Sequence, residues 1–321
     1  MMSSQKIYEQ LVIESIKKRN NLTDESIREI RKLYIKCANN IISKIPKTNG
    51  AATRAWLSDY EKYLKSEINS LNNELINLSK NSINESSKLA AEIDGDFFSF
   101  INGKYNLDID QELLDIIYSS DIKIINRIIR GSFYKDNRSL SERIWGYSDK
   151  TYNNIREILL EGIVEKNSYK EIAKRLEQYV NPRKRVNSKV GDITKTYGKI
   201  ENSSLRLIRT TISQVYQAEF ISKAKRNPYV EGIKWNLSNA HGSRMPYGDI
   251  CDEYANQNDY GLGQGVFKKS NVPLQHPNCM CYMTSVITKD LEDIASEIND
   301  WIHGASNSKL DKWVHDEENS M

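Results

Sequence analysis

The chain has 321 residues, and its 46 Lys and Arg nearly balance its 43 Asp and Glu, which gives a net charge of +3. This balance excludes a global basic field for nucleic acid but leaves local basic segments open. Gly (15) and Pro (6) fall well below their usual combined share of about 12%, and the apolar fraction of 39% is also low. Few helix breakers and little apolar material predict long helices around a thin core.

Two long helices are predicted in the N-terminal region. Residues 1–45 carry apolar side chains at helical spacing, with Thr23 predicted as an N-cap. Residues 53–94 form the second helix, which Asp94-Gly95-Asp96 is expected to end. The short turn between the two predicts an antiparallel hairpin. Cys37 lies on the apolar stripe of the first helix, so we expect it to be a buried core residue.

Shorter helices are predicted in the middle of the chain. Apolar periodicity predicts helices over 113–129 and 151–166, and a capping box of Ser168 and Glu171 opens another. Residues 183–199 are basic, and two interpretations stay open: a solvated loop, or a loop that contacts phosphates of DNA. The side chains that would contact DNA in the second interpretation are Arg183, Lys184, Arg185 and Lys189.

Helix gives way to a mixed pattern in the C-terminal part. A helix is predicted from Ser203 to about Arg226, and the segments 230–235 and 281–287 then have the pattern of strands. Residues 241–265 are rich in Gly, Asp and Asn and lack periodicity, which predicts a long functional loop.

Together these elements predict a mainly α fold with long N-terminal helices and a small α+β C-terminal module of few short antiparallel strands. The expected domains are a helical region over 1–137 with the long helix hairpin, a region over 138–287 that includes the Cys/His segment 235–287, and a tail over 288–321. We expect the tail to be polar and helical and to fray from Asp316 onwards. Its histidines, His303 and His315, should be solvated.

No stretch approaches the roughly 18 apolar residues of a membrane-spanning helix, and the N-terminal segment lacks the apolar core of a secretory signal. We therefore expect a protein without membrane association that is made in a cytosol, where thiols stay reduced. Under those conditions, clustered Cys and His side chains favour a metal over a disulfide framework.

Residue types that bind metals cluster between His241 and Cys281. Structural zinc takes four nitrogen or sulfur ligands, often from two short segments. The run from His276 to Cys281 provides one segment, and Cys251 provides the other. We therefore predict a structural zinc site with Cys251, His276, Cys279 and Cys281 as ligands, and with His241 and Asp249 as alternative ligands.

Two other interpretations of these cysteines stay open. The C-x-C spacing is tighter than in common zinc sites, and Cys251 has no Cys neighbour. The thiols are therefore zinc ligands, or simply buried, or joined as a disulfide from Cys251 to Cys279 or Cys281. Zinc would supply the folding free energy that a loop with so little apolar surface lacks.

Common catalytic motifs are missing from the sequence. It contains no H-E-x-x-H and no P-C-x-x-C, the signatures of zinc peptidases and nucleobase deaminases. The glycines from Gly261 to Gly265 lack the Lys-Ser/Thr of a phosphate loop, so we interpret them as a flexible turn. We expect no enzymatic activity. The enzyme alternative is a metal-dependent hydrolase on the same four ligands, with Asp249 or Asp252 as base and an open coordination position.

These residues belong to a longer ordered set of motifs. The set includes Trp235, Ser238, His241, Asp249 to Asp252, Gly261, Gly263, Gly265 to Phe267, and Pro273-Leu274 before the H-P-N-C-x-C ending at 276–281. Upstream, the segments 141–145 and 168–176 and the pair Arg209-Thr210 belong to the same pattern. Over roughly 138–287, this order resembles the Mu F-like family of phage head-morphogenesis proteins. The chain departs from that family in Thr211, where Glu is usual, and in Met280, where Arg is usual.

The resemblance implies a minor capsid protein that acts near the portal during procapsid assembly. The implied partners are the portal protein and other capsid or scaffold proteins, with contact to packaged double-stranded DNA as a further expectation. The implied location is the virion, after assembly in the cytoplasm of the bacterial host. A DNA-binding factor that uses residues 183–199 is the alternative, and its affinity would fall steeply with salt.

Overall fold

The computed structural model describes residues 3–184, 200–239, 241–277 and 279–321. The fold is mainly α, with a small three-stranded antiparallel sheet near the C-terminus, which confirms the predicted fold class. None of the helices in these ranges is long and apolar enough to cross a membrane.

The chain divides into two compact units. The helical unit comprises Asp24–Asn81 and Ile129–Arg209. The sheet unit comprises Met1–Thr23, Ser82–Ile128 and Thr210–Met321. The domain boundaries predicted at 137/138 and 287/288 stay a prediction.

The two longest helices, α1 (Ser4–Ser43) and α2 (Arg54–Tyr105), run antiparallel in the helical unit. Lys36 pairs with Glu74 at 2.8 Å, and the Tyr60 hydroxyl donates to the carbonyl of Ile41 at 2.8 Å, as an antiparallel hairpin requires. Cys37 is buried, as expected.

Thr23 does not begin a helix, because it lies inside the unbroken α1. Its hydroxyl donates to the carbonyl of Arg19, at 2.9 Å, instead of capping a helix start. The predicted N-cap is therefore wrong.

The other helices of the helical unit include α5 (Leu140–Val164) and α6 (Tyr169–Val180), and each of these two begins with a capping box. The predicted box of Ser168 and Glu171 is confirmed. The helix predicted over 151–166 begins earlier, because Ser139 and Glu142 form a capping box of their own.

In the sheet unit, α2 continues through Asp94-Gly95-Asp96, where a break was predicted. Asp94 is buried and accepts hydrogen bonds from the Tyr8 hydroxyl at 2.6 Å and from Nδ2 of Asn227 at 3.1 Å. A Cβ atom at Gly95 would lie 2.4 Å from the ring of Tyr118. The helix continues there because the Tyr118 ring packs against Gly95, and because Tyr8 and Asn227 donate hydrogen bonds to the Asp94 carboxylate.

The single helix predicted over 113–129 is in fact two, α3 (Gln111–Tyr118) and α4 (Ile122–Arg130). Asp121 separates them, because its Oδ1 accepts from the backbone N–H groups of Lys123 and Ile124. An aspartate at this position caps the start of α4 and ends the continuity with α3.

The helix α7 (Asn202–Arg226) confirms its prediction and leads into the sheet. The strands are β1 (Gly232–Asn236), β2 (Val266–Phe267) and β3 (Tyr282–Val286), in the order β2-β1-β3. Ile233 pairs with Phe267 on one side and with Ser285 on the other. The sequence indicated β1 and β3 but not the two-residue β2. The remaining helices are α8 (His241–Arg244), α9 (Ile250–Asn256), α10 (Leu291–Ile302) and α11 (Ser308–Glu318).

The predicted fraying from Asp316 is wrong, because α11 packs into the core of the sheet unit. Trp313 and Glu317 are buried. The carboxylate of Glu317 lies 2.7 Å from Nζ of Lys223 and 2.9 Å from Nε of Arg226, both on α7. The prediction that His303 and His315 are exposed is confirmed.

Candidate metal centre

Three of the four cysteines meet inside the core of the sheet unit. Cys251 lies in the first turn of α9, Cys279 in the loop before β3, and Cys281 directly before β3. Their exposed fractions are 0%, 3% and 1%. The Sγ atoms of Cys251 and Cys279 are 3.5 Å apart, and all four cysteines of the chain are free. The thiols that the sequence predicted as a cluster are therefore together in space.

The start of α9 holds Cys251 in place through a capping box. Oδ1 of Asp249 accepts from the backbone N–H of Cys251 at 2.8 Å, and Oδ2 of Asp252 accepts from the backbone N–H of Asp249 at 2.8 Å. The two aspartates thus fix a seven-residue helix whose own propensity to form would be weak.

His276 has a ring nitrogen free to bind a metal. Its Nδ1 lies 3.0 Å from the carbonyl oxygen of Pro277, so Nδ1–H donates there and the lone pair remains on Nε2. That Nε2 atom is buried and 3.0 Å from Oδ2 of Asp249, yet neither atom has hydrogen-bond geometry with any partner. One ligand atom each from Cys251, His276 and Cys279 lies within 4.8 Å of the other two, so these residues form a cluster that could hold a metal ion.

His241 approaches the cluster through Cys281. Its Nδ1 lies 3.6 Å from Sγ of Cys281, and its Nε2 lies 2.9 Å from Oδ2 of Asp252. The hydrogen bond that Nε2 of His241 donates to the Asp252 carboxylate raises the pKa of His241. In a tetrahedral zinc site with bonds of about 2.0–2.3 Å, neighbouring ligand atoms lie about 3.3–3.8 Å apart. The 3.5 Å between Cys251 and Cys279 and the 3.6 Å between Cys281 and His241 fit this spacing.

His241, Asp249 and Asp252 also place ligand atoms within 4.8 Å of one another. The hydrogen bonds of the capping box already explain the positions of both carboxylates. We therefore regard these three residues as support for the thiol cluster rather than as a second centre.

The pKa values of Cys281 and Cys251 shift in opposite directions. Interactions with the thiols of Cys251 and Cys279 lower the pKa of Cys281, whereas interactions with the thiols of Cys279 and Cys281 raise the pKa of Cys251. The backbone N–H of Ser238 and the ring of His241 also lower the pKa of Cys281. The thiolate is the form of cysteine that binds metals, and the cluster favours it at this position.

A cavity of about 290 Å³ adjoins the cluster. Cys279, His276 and Asp249 contribute to its wall, together with apolar side chains. The full lining consists of Ser238, His241, Met245, Asp249, His276, Pro277, Cys279 and Met280.

The structure thus brings together every residue predicted for the metal site, including the alternatives His241 and Asp249. Of the candidates for DNA contact, Arg183 and Lys184 are exposed after the end of α6, and Arg185 and Lys189 lie outside the described residues.

Gln275 was not predicted as a site residue from the sequence. This buried residue donates from Nε2 to the carbonyl of Cys281, and its backbone N–H donates to Oε1 of Gln217 at 2.6 Å. No spacing rule pointed to it, since a single glutamine in a loop has no distinguishing pattern.

No family model, no curated protein and no solved structure matches this chain. The resemblance of residues 138–287 to head-morphogenesis proteins therefore stays an expectation from the order of motifs. The cluster of Cys251, His276 and Cys279 is an observation independent of that resemblance.

Proposed function

We propose that the chain is a structural protein of phage head assembly whose Cys/His segment is held by a zinc ion. The observation that carries the proposal is the convergence of the Cys251 and Cys279 sulfurs with the His276 imidazole, with the buried Cys281 sulfur beside them. Buried polar side chains normally find hydrogen-bond partners, whereas Nε2 of His276 makes no hydrogen bond although it lies 3.0 Å from Oδ2 of Asp249, which supports a role for this nitrogen as a metal ligand.

The donor set fits zinc better than harder cations. Thiolates and imidazole suit zinc, whereas magnesium and calcium prefer oxygen ligands. Cys251, Cys279, Cys281 and His276 would hold the ion, with His241 as the alternative imidazole. A bound zinc would couple its binding free energy to the folding of the segment and would offset two of the three negative charges on the thiolates.

A structural role suits the burial of the site. Cys281 is 1% exposed and does not line the adjoining cavity, although His241, which lies 3.6 Å from its sulfur, does. Four protein ligands would close the coordination sphere, as in structural zinc sites. The ordered segment would then present α8, α9 and their loops as a docking surface.

The role in head assembly is supported by the order of motifs over 138–287. In this proposal the chain binds the portal protein and other capsid or scaffold proteins, contacts packaged DNA, and becomes part of the virion. To test this, a tagged copy would be expressed during phage production, and purified procapsids and mature heads would be analysed by mass spectrometry. The chain should be found in both at low copy number and should co-purify with the portal protein. Its absence from both particles would refute the proposal.

The cavity beside Cys279 and His276 favours one second candidate, a metal-dependent hydrolase. Such a site needs three protein ligands and a bound water, with Asp249 placed to act as base. X-ray absorption of the zinc-loaded protein would decide between the two. Three sulfur neighbours and one nitrogen or oxygen neighbour indicate the structural site, whereas two sulfurs and two nitrogen or oxygen neighbours indicate the hydrolase.

A further inference from the structure

Arg19 is a buried arginine without an obvious anionic partner. It lies within α1 in the sheet unit and is only 1% exposed. Its Nη2 donates to Oδ1 of Asn20 at 3.1 Å, and its guanidinium lies 5.0 Å from the centre of the Tyr216 ring. No carboxylate of the described ranges forms an ion pair with it. A cation removed from water without a counter-charge costs several kcal/mol, so this position calls for an explanation.

The surroundings of Arg19 lead to the thiol cluster. Arg19 lines a cavity of about 10 Å³ together with Gln275, and Oε1 of Gln275 is buried without a hydrogen-bond partner. The other end of the same amide donates to the carbonyl of Cys281. The side chain of Gln275 thus connects the cavity at Arg19 to the backbone of Cys281.

The charges around Arg19 agree with this placement. Burial lowers the pKa of Arg19, while Tyr216, Cys279 and Cys281 act in the opposite direction. A negative charge on the sulfur of Cys279 or Cys281 would therefore stabilise the charged form of this guanidinium.

We propose that Arg19 supplies the positive charge that balances the metal–thiolate centre, an inference that rests on the proposed zinc site. Three thiolates, one neutral imidazole and one divalent ion leave a single net negative charge in the core. The guanidinium neutralises that charge. Arg19 is a positioning residue rather than a ligand, and Gln275 links it to the loop that carries the ligands.

The first test compares zinc affinities at fixed pH by competition with a chromophoric chelator. Arg19→Met keeps the bulk of the side chain and removes its charge, and Arg31→Met makes the same change at an exposed position of the same helix. We expect Arg19→Met to weaken zinc binding by about 10- to 100-fold, as changes to groups behind metal ligands do. Arg19→Lys, which keeps the charge, and Arg31→Met should both stay close to wild type. If Arg19→Met does not fold, Arg19→Gln replaces it with the same expected loss.

The second test separates charge balance from simple packing. Melting temperatures are measured for wild type and Arg19→Met, each zinc-loaded and metal-free. We expect the substitution to lower the melting temperature of the loaded protein more than that of the metal-free protein. Equal losses in both forms, or equal zinc affinities, would overturn the inference and leave the zinc site intact. A wild-type protein that binds no zinc would overturn the zinc site and the inference together.

Discussion

Glu317 is the residue whose replacement should show most clearly that the C-terminal helix belongs to the core. It is 1% exposed and lies 2.7 Å from Nζ of Lys223 and 2.9 Å from Nε of Arg226. Lys223 is itself 2% exposed, so solvent does not screen this pair. Glu317→Gln keeps the shape of the side chain and leaves both cations without that carboxylate.

Breaking a buried ion pair from one side costs about 3–5 kcal/mol. For a unit of this size, each kcal/mol lowers the melting temperature by about 2–4 °C, so we expect a fall of about 6–20 °C. The assay is thermal unfolding followed by circular dichroism, at constant zinc concentration and near-neutral pH. Glu318→Gln is the matched control, because Glu318 is the adjacent, exposed residue. If Glu317→Gln melted within about 2 °C of Glu318→Gln, the reasoning from the buried pair would be refuted.

Two further predictions concern packing and pH. A Cβ at Gly95 would lie 2.4 Å from the Tyr118 ring, whereas one at Gly103 of the same helix meets nothing within 4 Å. In urea unfolding we therefore expect Gly95→Ala to lose about 1–3 kcal/mol and Gly103→Ala to gain about 0.5–1 kcal/mol; equal effects would contradict the close approach. Burial raises the pKa of Glu219 from its usual 4.5 to about 7, so folding stability should fall as pH rises between these values, because the folded state holds the proton longer. Glu219→Gln should weaken the dependence of the melting temperature on pH across that range. A pH dependence equal to that of wild type would show that Glu219 is not responsible.

Local signals in the sequence predicted much of the fold. The helical stripes of α1 and α2, the capping box at Ser168 and the extent of α7 depend on neighbours within a few residues, and all are present. The errors occur where distant contacts decide. Asp94-Gly95-Asp96 stays helical because Tyr8 and Asn227 donate hydrogen bonds to Asp94 and the Tyr118 ring packs against Gly95. All three contacts come from residues more than 20 positions away in the chain.

The candidate site shows the same division. Cys251, His276, Cys279 and Cys281 were predictable as a set, because thiols and imidazoles rarely cluster without a reason. Arg19 and Gln275 were not, since their relation to the cluster exists only after α1 packs beside the loop before β3. The sequence could not show which of His241 and His276 would bind the metal, because that depends on the hydrogen-bond partners of each ring. The structure gives these partners for both rings.

The most direct test of the zinc site is the metal content of the purified protein. Inductively coupled plasma mass spectrometry would be applied to wild type, Cys279→Ser and Cys37→Ser, each purified under reducing conditions without added metal. We predict about one zinc per chain in wild type and in Cys37→Ser, whose thiol lies in the helical unit, and a large loss in Cys279→Ser. Wild-type protein with reduced thiols and no zinc, or a Cys279→Ser variant with full zinc content, would contradict the proposed centre.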